Sequence, residues 1–278
     1  MLLSAVRFEG ATVGVLPLMQ QDGVITFIGD TAVCDYHDFP CSPDMEQEVF
    51  STLVAHLDTF DWDLVSLDNL LEDSPTLAIL PSLAIGRGWR VEKSLEEVSP
   101  GVQLPGDWES YLGILDKKQR HELRRKIHRL EQAGKASYFS VSDPEALSAG
   151  MDTFLGLLKA SRTDKAEFLT PPREKFFRSM ASALSKEGYL KLFFLELSGS
   201  KVASCICFDY NDTYSLYNSG YDPAHASLSV GVLLKAFCIK DAIEHGKKTY
   251  DFLRGAETYK YHLGGQDKRL YRLTISRH

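Results

Sequence analysis

The chain has 278 residues, of which 44% are hydrophobic and 25% charged, and a formal net charge of −7. That length suits two lobes of roughly 100–150 residues, each with its own core. The acidic balance argues against nucleic acid or an anionic membrane as a global partner, no apolar run reaches the roughly 18 residues a bilayer requires, and the opening Met1–Arg7 is too short for a secretory leader.

In chain order, Leu3–Glu9, Thr12–Met19 and Val24–Ile28 read as strands, separated by turn pairs at Glu9-Gly10 and Asp22-Gly23. A helix is predicted over Met45–Phe60 and a strand over Asp63–Leu67. Asp107 can cap a helical stripe carried by Leu112, Leu115, Gln119, Leu123, Ile127 and Leu130, which Gly134 closes. Ala136–Val141 is a short strand. Asp143-Pro144 opens a helix to about Ser161, and Thr170-Pro171 opens another that Gly188 ends. Tyr189–Leu197, Lys201–Tyr210 and Thr213–Ser219 follow as strands, joined at Ser198-Gly199 and Asn211-Asp212. A helix over Val230–His245, a strand over Thr249–Leu253, a short helix over Glu257–Leu263 and a strand over Arg269–Ile275 complete the order.

The two halves align in part. Phe8–Gly14 can be laid beside Leu197–Ala203, and Asp61–Val65 beside Lys248–Phe252, so two copies of one unit are expected. The first copy lacks the opening strand and two helices of the second and reads as shortened at its N-terminus. The predicted division is a partial lobe over 1–106, a linking helix over 107–135 and a complete lobe over 136–278. The fold class is α/β (α+β), with mixed, mostly antiparallel sheets.

Five segments can carry chemistry. Lys117–Arg129 holds seven Lys and Arg against one Glu, a local +6 that leaves −13 on the rest of the chain. Such a helix face is simply solvated, or holds the phosphates of a substrate or cofactor, or contacts RNA. Asp222–Gly231 follows a strand and opens a helix with small residues, offering free N–H groups to a pyrophosphate at Ser227, Ser229, Val230, Gly231 and Val232, or merely capping the helix. In Tyr250–Tyr261, Asp251 and Glu257 are candidate bases for an attacking amine and Tyr259 a candidate acid, unless the segment is a salt-bridged corner. Ser161–Phe168 is a charged connection. Asp35, Tyr36 and His37, with Asp38, either contact substrate or form a surface turn. The five cysteines are odd in number and lack any CxxC, which reads as free thiols in a reducing compartment, and no zinc-type ligand spacing is present; no metal is expected.

Lys117–Lys126, Asp164–Phe168, Leu216–Pro223, Tyr250–Gly255 and Tyr259-Lys260-Tyr261 together resemble the cellulose-biosynthesis-associated (CelD/BcsL) acetyltransferases of the GNAT type. The resemblance spans nearly the whole chain. It implies tandem GNAT-like lobes, an acetyl-CoA or other acyl-CoA donor, and an amine acceptor held between lobes, its family relatives having sequence before Met1. It places Ser215, Leu216, Tyr217 and Asn218 along the pantetheine arm and Arg162, Lys165, Glu167, Tyr221, Arg254 and Lys260 near the acceptor. The expected protein is a cytoplasmic acyltransferase. The alternatives are a Fem-type transferase using aminoacyl-tRNA and a non-catalytic binding protein on the same scaffold.

Overall fold

In the computed structural model, which describes residues 1–141 and 143–277, tight turns set the sheets. Both residues of each predicted turn pair have positive φ: Glu9 and Gly10, Asp22 and Gly23, Ser198 and Gly199, Asn211 and Asp212. That backbone matches the twist of the flanking strands and fixes hairpin register. The chain divides into two units, Met1–Ser99 with Arg254–Ala256 and Asp267–His278, and Pro100–Leu253 with Glu257–Gln266.

The first unit contains β1 (Leu2–Phe8), β2 (Ala11–Gln21), β3 (Val24–Phe27), α1 (Glu46–Leu57), β4 (Leu64–Leu71), α2 (Pro75–Gly86), most of β5 (Arg90–Gln103) and most of β11 (Gln266–Ser276), in strand order β1-β2-β3-β4-β11-β5. β3 and β4 are parallel across α1, whereas β11 runs antiparallel to β4. Helix α1 buries Val49, Phe50, Leu53, Val54 and Leu57, the helical spacing that gives one apolar face. These side chains pack with Leu16, Ile25, Val65 and Leu67 from the sheet.

The second unit contains α3 (Trp108–Ile114), α4 (Lys117–Ala133), β6 (Ala136–Val141), α5 (Pro144–Ser161), α6 (Thr163–Phe168), α7 (Pro171–Lys186), β7 (Leu190–Leu197), β8 (Ser200–Tyr210), β9 (Thr213–Tyr221), α8 (Val230–Glu244), β10 (Thr249–Asp251) and α9 (Thr258–His262). Its strand order is β5-β10-β9-β8-β7-β6. Side chains alternate across β7, so Phe193 and Leu195 pack with α8 while Leu192 and Phe194 pack with α5 and α7. Cores on both faces explain the unbroken apolar run Leu192–Leu195 in the middle of the strand.

Three elements differ from the sequence expectation. The single linking helix is two, because Leu115 is extended and Asp116 accepts a hydrogen bond from the Gln119 N–H to start α4 afresh. The charged connection at 161–168 contains helix α6. The stretch between Leu67 and Asp107, where periodicity predicts no element, holds α2 and β5; Ser74 caps α2 on the Thr76 N–H, with Pro75 behind it.

Two features of β9 shape the second unit. The strand pairs with β10 only over Thr213–Ser215 and then runs on to Tyr221. Against β8, Ile206 faces Asn218 and Cys207 faces Leu216, so Tyr217 is the extra residue of a bulge. Near its end, Gly220 lies under α5: a Cβ there would sit 2.4 Å from the Leu158 nitrogen and 2.5 Å from the Leu157 carbonyl carbon. Gly220→Ala should therefore cost about 2 kcal/mol of stability, as overpacking against backbone does. Gly156→Ala, in open space on the same helix, should gain about 0.5–1 kcal/mol. Paired urea titrations read both, and an unchanged midpoint for Gly220→Ala would contradict the packing.

Candidate active site

Where β9 outruns β10, the second unit has a cleft of about 370 Å³. It is lined by Ser161, Arg162, Lys165, Ser219, Tyr221, Ala226, Ser229, Val230, Gly231, Val232, Lys235, Glu257 and Tyr259. All but Ser161, Ser219, Ala226 and Lys235 are site residues that the sequence predicts.

Lysines dominate its electrostatics. Lys165, on α6, donates to the Ser219 carbonyl and to Asn218 Oδ1 at 3.3 Å. Burial pulls its pKa down to about 8, helped by the positive charge of Lys235. Lys235 is 6% exposed, donates to the Gly231 carbonyl at 3.1 Å, and lies 4.7 Å from the Tyr259 ring centroid. Among the described residues neither ammonium has a carboxylate within 4 Å. Placing unpaired cations in so dry a place is costly, so the cleft is electrostatically prepared for an anion.

The one carboxylate in the cleft is already engaged. Glu257 pairs with Lys260 at 2.9 Å; Lys260 is 1% exposed and also donates to the Leu253 carbonyl. Burial raises the Glu257 carboxyl, but the Lys260 hydrogen bond and charge outweigh it and hold the group ionised below its usual range. Burial pushes the Tyr259 phenol up, so it keeps its proton.

The small-residue loop ends in a left-handed Ser229, φ +59°, at the start of α8. The Val232 and Leu233 N–H groups bond back to the Ser229 carbonyl, and a Cβ on Gly231 would sit 3.1 Å from the Tyr221 ring. Arg129, from α4, reaches Ser229 Oγ at 3.5 Å while its buried Nε–H has no partner. In the sequence Arg129 is one of many cations in a basic segment, and nothing local marks this contact. Lys235 has a clearer signal, as a lone cation inside the apolar run Val230–Ile239.

The other predicted residues lie elsewhere. Asn218 borders the cleft through Lys165, whereas Leu216 is buried in the core and Tyr217 stacks on Phe208 and Phe177, 4.8 and 5.5 Å between centroids. Ser215 pairs with Asp251, whose Oδ1 accepts from the Leu253 N–H at 2.7 Å. Ser227 lies in the turn before α8, and Glu167 is exposed on α6. In the first unit, Arg254 donates to Asn69 Oδ1 at 3.1 Å and lies 3.9 Å from Asp35, Tyr36 bonds Ser99, and His37 lines a cavity of about 300 Å³ with Asp30 and Asp68. On α4, Arg124 and Arg125 pair with Glu109 and Glu122, while Lys117, Lys118, His121 and Lys126 line a groove with His262. Among the described residues no His, Cys, Asp and Glu group could hold a metal, and no helix is long and apolar enough to cross a membrane.

Lys165 makes a pH prediction. Its folded pKa, about 8, is below the ordinary 10.5, so the unfolded chain binds more protons between those values. Stability should therefore rise as pH increases from about 8 to 10.5. Denaturant midpoints at several pH values check this, and Lys165→Met should flatten that part of the profile.

Residues 117–261, just over half the chain, match the family model described as an acetyltransferase (GNAT) domain. No curated protein matches. Similar solved structures include FemX, 13% identical with a TM-score of 0.66 over 96% of this chain and 86% of that one. Another is the C-terminal domain of a putative lysylphosphatidylglycerol synthetase from Agrobacterium fabrum, 10% identical with a TM-score of 0.64 over 99% and 84%. A tandem GNAT protein from the clavulanic acid biosynthesis pathway is 12% identical, with a TM-score of 0.50 over 97% and 81%. At these identities the likeness is one of fold, a mixed α/β fold with a large, mostly antiparallel sheet. On the family match, the chain belongs to the GNAT acetyltransferases and is an acyltransferase.

Proposed function

We propose that the second unit carries out acyl-CoA-dependent transfer to an amine, with the cleft beside α8 as its donor site. The observation that carries this reading is the pair of ammonium groups that, among the described residues, have no carboxylate partner, half-buried Lys165 and buried Lys235, next to a helix start. The residues fit the phosphate end of such a donor: Arg129 offers a buried Nε–H with no partner among the described residues, Ser229 a hydroxyl, and Val230 and Gly231 the N–H groups that open α8. The edge of β9 left unpaired by β10 beyond Ser215, over Leu216–Asn218, suits the pantetheine arm. When bound, the thioester supplies an acyl carbon that an amine can attack.

The chain's own groups then divide the proton work. Glu257, ionised and facing the cleft, takes the proton of the acceptor amine on its carboxylate, and Lys260 holds it in place. The protonated phenol of Tyr259 donates to the departing sulfur. Asp251 is tied to the Leu253 N–H and supports the turn after β10. Tyr221 and Arg162 border the acceptor. The resemblance to the cellulose-biosynthesis-associated acetyltransferases makes a cell-envelope or polysaccharide-related amine a suitable acceptor class. The free cysteines and the CoA donor suit a cytoplasmic setting.

A second reading, an aminoacyl-tRNA donor, is favoured by one observation, the basic groove on α4. It requires salt-sensitive tRNA binding that Lys117→Glu/Lys118→Glu removes.

Calorimetric titration separates the two. Acetyl-CoA should bind the native chain at micromolar affinity, and Ser229→Asp should weaken it at least about tenfold by facing the phosphates with a carboxylate. A left-handed residue tolerates Asp, so the backbone is preserved. No heat with acetyl-CoA, and binding of tRNA instead, would replace the first reading with the second. Glu257→Gln should lower turnover about 100-fold or more while changing acetyl-CoA affinity little; unchanged turnover would remove it as the base.

A further inference from the structure

Lys165 differs from the other lysines near the cleft in its neighbours. Lys260 is committed to Glu257 and the Leu253 carbonyl. Lys235 donates to the Gly231 carbonyl and lies over the Tyr259 ring. Among the described residues Lys165 has two acceptors, both carbonyl oxygens, Ser219 O and Asn218 Oδ1. A neutral amine has two hydrogens and one lone pair. Both hydrogens are taken by those carbonyls, which leaves the lone pair for the cleft that Lys165 lines.

We propose that Lys165 is itself acylated by the thioester bound in the cleft, a modification that closes the site when no acceptor amine is present. The inference rests on the donor reading of that cleft. The Nζ lone pair forms a C–N bond to the acyl carbon, the C–S bond breaks with its electron pair passing to sulfur, and the proton lost from Nζ passes to the thiolate. The product is an amide, which does not pass its acyl group on. It removes one of the two ammonium groups and fills the acceptor side of the cleft.

The charged groups that act on Lys165 favour a neutral amine. Burial comes first, then the positive charge of Lys235 on α8, with Arg162 acting the same way; Cys205 on β8 and Asp164 oppose them. Glu257, across the cleft, is neutralised largely by Lys260. Near pH 8 about half of the amine is unprotonated, against less than about 1% for an ordinary lysine. Holding that amine beside a bound thioester makes the reaction effectively unimolecular.

The test is incubation of the purified chain with acetyl-CoA and no acceptor, followed by mass spectrometry of its peptides. Acetyl-Lys165 should form at least about tenfold faster than acetyl-Lys117 or acetyl-Lys118, both in the exposed groove, because binding concentrates the donor. The rate at pH 6.5 should fall on the order of twentyfold below that at pH 8.5, following the neutral fraction. Ser229→Asp should suppress it, and Lys165→Arg should abolish it at that position. Trace labelling with acetic anhydride gives an independent readout: Lys165 should be hyper-reactive at pH 8 and protected by CoA. Acetylation spread evenly over exposed lysines, or none at Lys165 although calorimetry shows acetyl-CoA bound, would overturn the inference and leave the donor reading intact. Absence of acetyl-CoA binding would overturn both.

Discussion

The parting of β9 from β10 after three paired residues is the constraint on which the second unit depends. A strand that loses its neighbour exposes N–H and C=O groups that must find other partners. Here the Ser219 carbonyl finds the Lys165 ammonium, from a short helix whose Phe168 packs against the core under α5 and α7. Gly220 lets α5 close against the same strand at backbone contact distance, so its free stretch is fixed by α5 on one face, while Leu216 and Tyr221 pack toward α8. The opening in the sheet, the lysine in it and the helix behind it all derive from one interrupted pairing.

Charge gives the opening its character. The protein is acidic overall, yet Lys165, half-buried, and Lys235, buried, have no carboxylate partner among the described residues, while most basic side chains of α4 are paired or solvated. Removing a cation from water is unfavourable unless an anion or a functional use compensates. The Glu257–Lys260 pair shows the other outcome, in which a buried lysine is neutralised and serves to orient a carboxylate. In the proposed function, the two lysines serve binding and the ion pair serves proton transfer.

Much of this was legible in the sequence because the strongest cues are local. The four turn pairs, the Asp143-Pro144 helix start and the apolar strands β7 and β8 appear where period and turn chemistry place them. The same Ser-Pro logic at Ser74-Pro75 announces α2, but that helix is apolar on every side and lacks the periodicity that marks an amphipathic helix. β5 was illegible for the opposite reason: most of its side chains over Arg90–Glu97 are exposed, so no alternation signals a strand. In the cleft, the segments were recognisable but not every pairing was. Glu257 and Lys260 stand three residues apart at the start of α9, a spacing that a sequence shows. Nothing local says that Arg129 will cross to Ser229, because that contact depends on how α4 and α8 come together in space.

The composition of the first unit has a further consequence. Its sheet order places β11, more than 160 residues after β5 in the chain, between β4 and β5. During synthesis, β1 to β4 emerge from the ribosome long before the strand that completes them. Until then β4 presents an unsatisfied edge, with Val65, Leu67 and Leu70 lacking the cover of Leu273 and Ile275. This protein cannot fold its first half vectorially. The nascent chain must keep that edge from pairing with a second copy of itself until β11 is released.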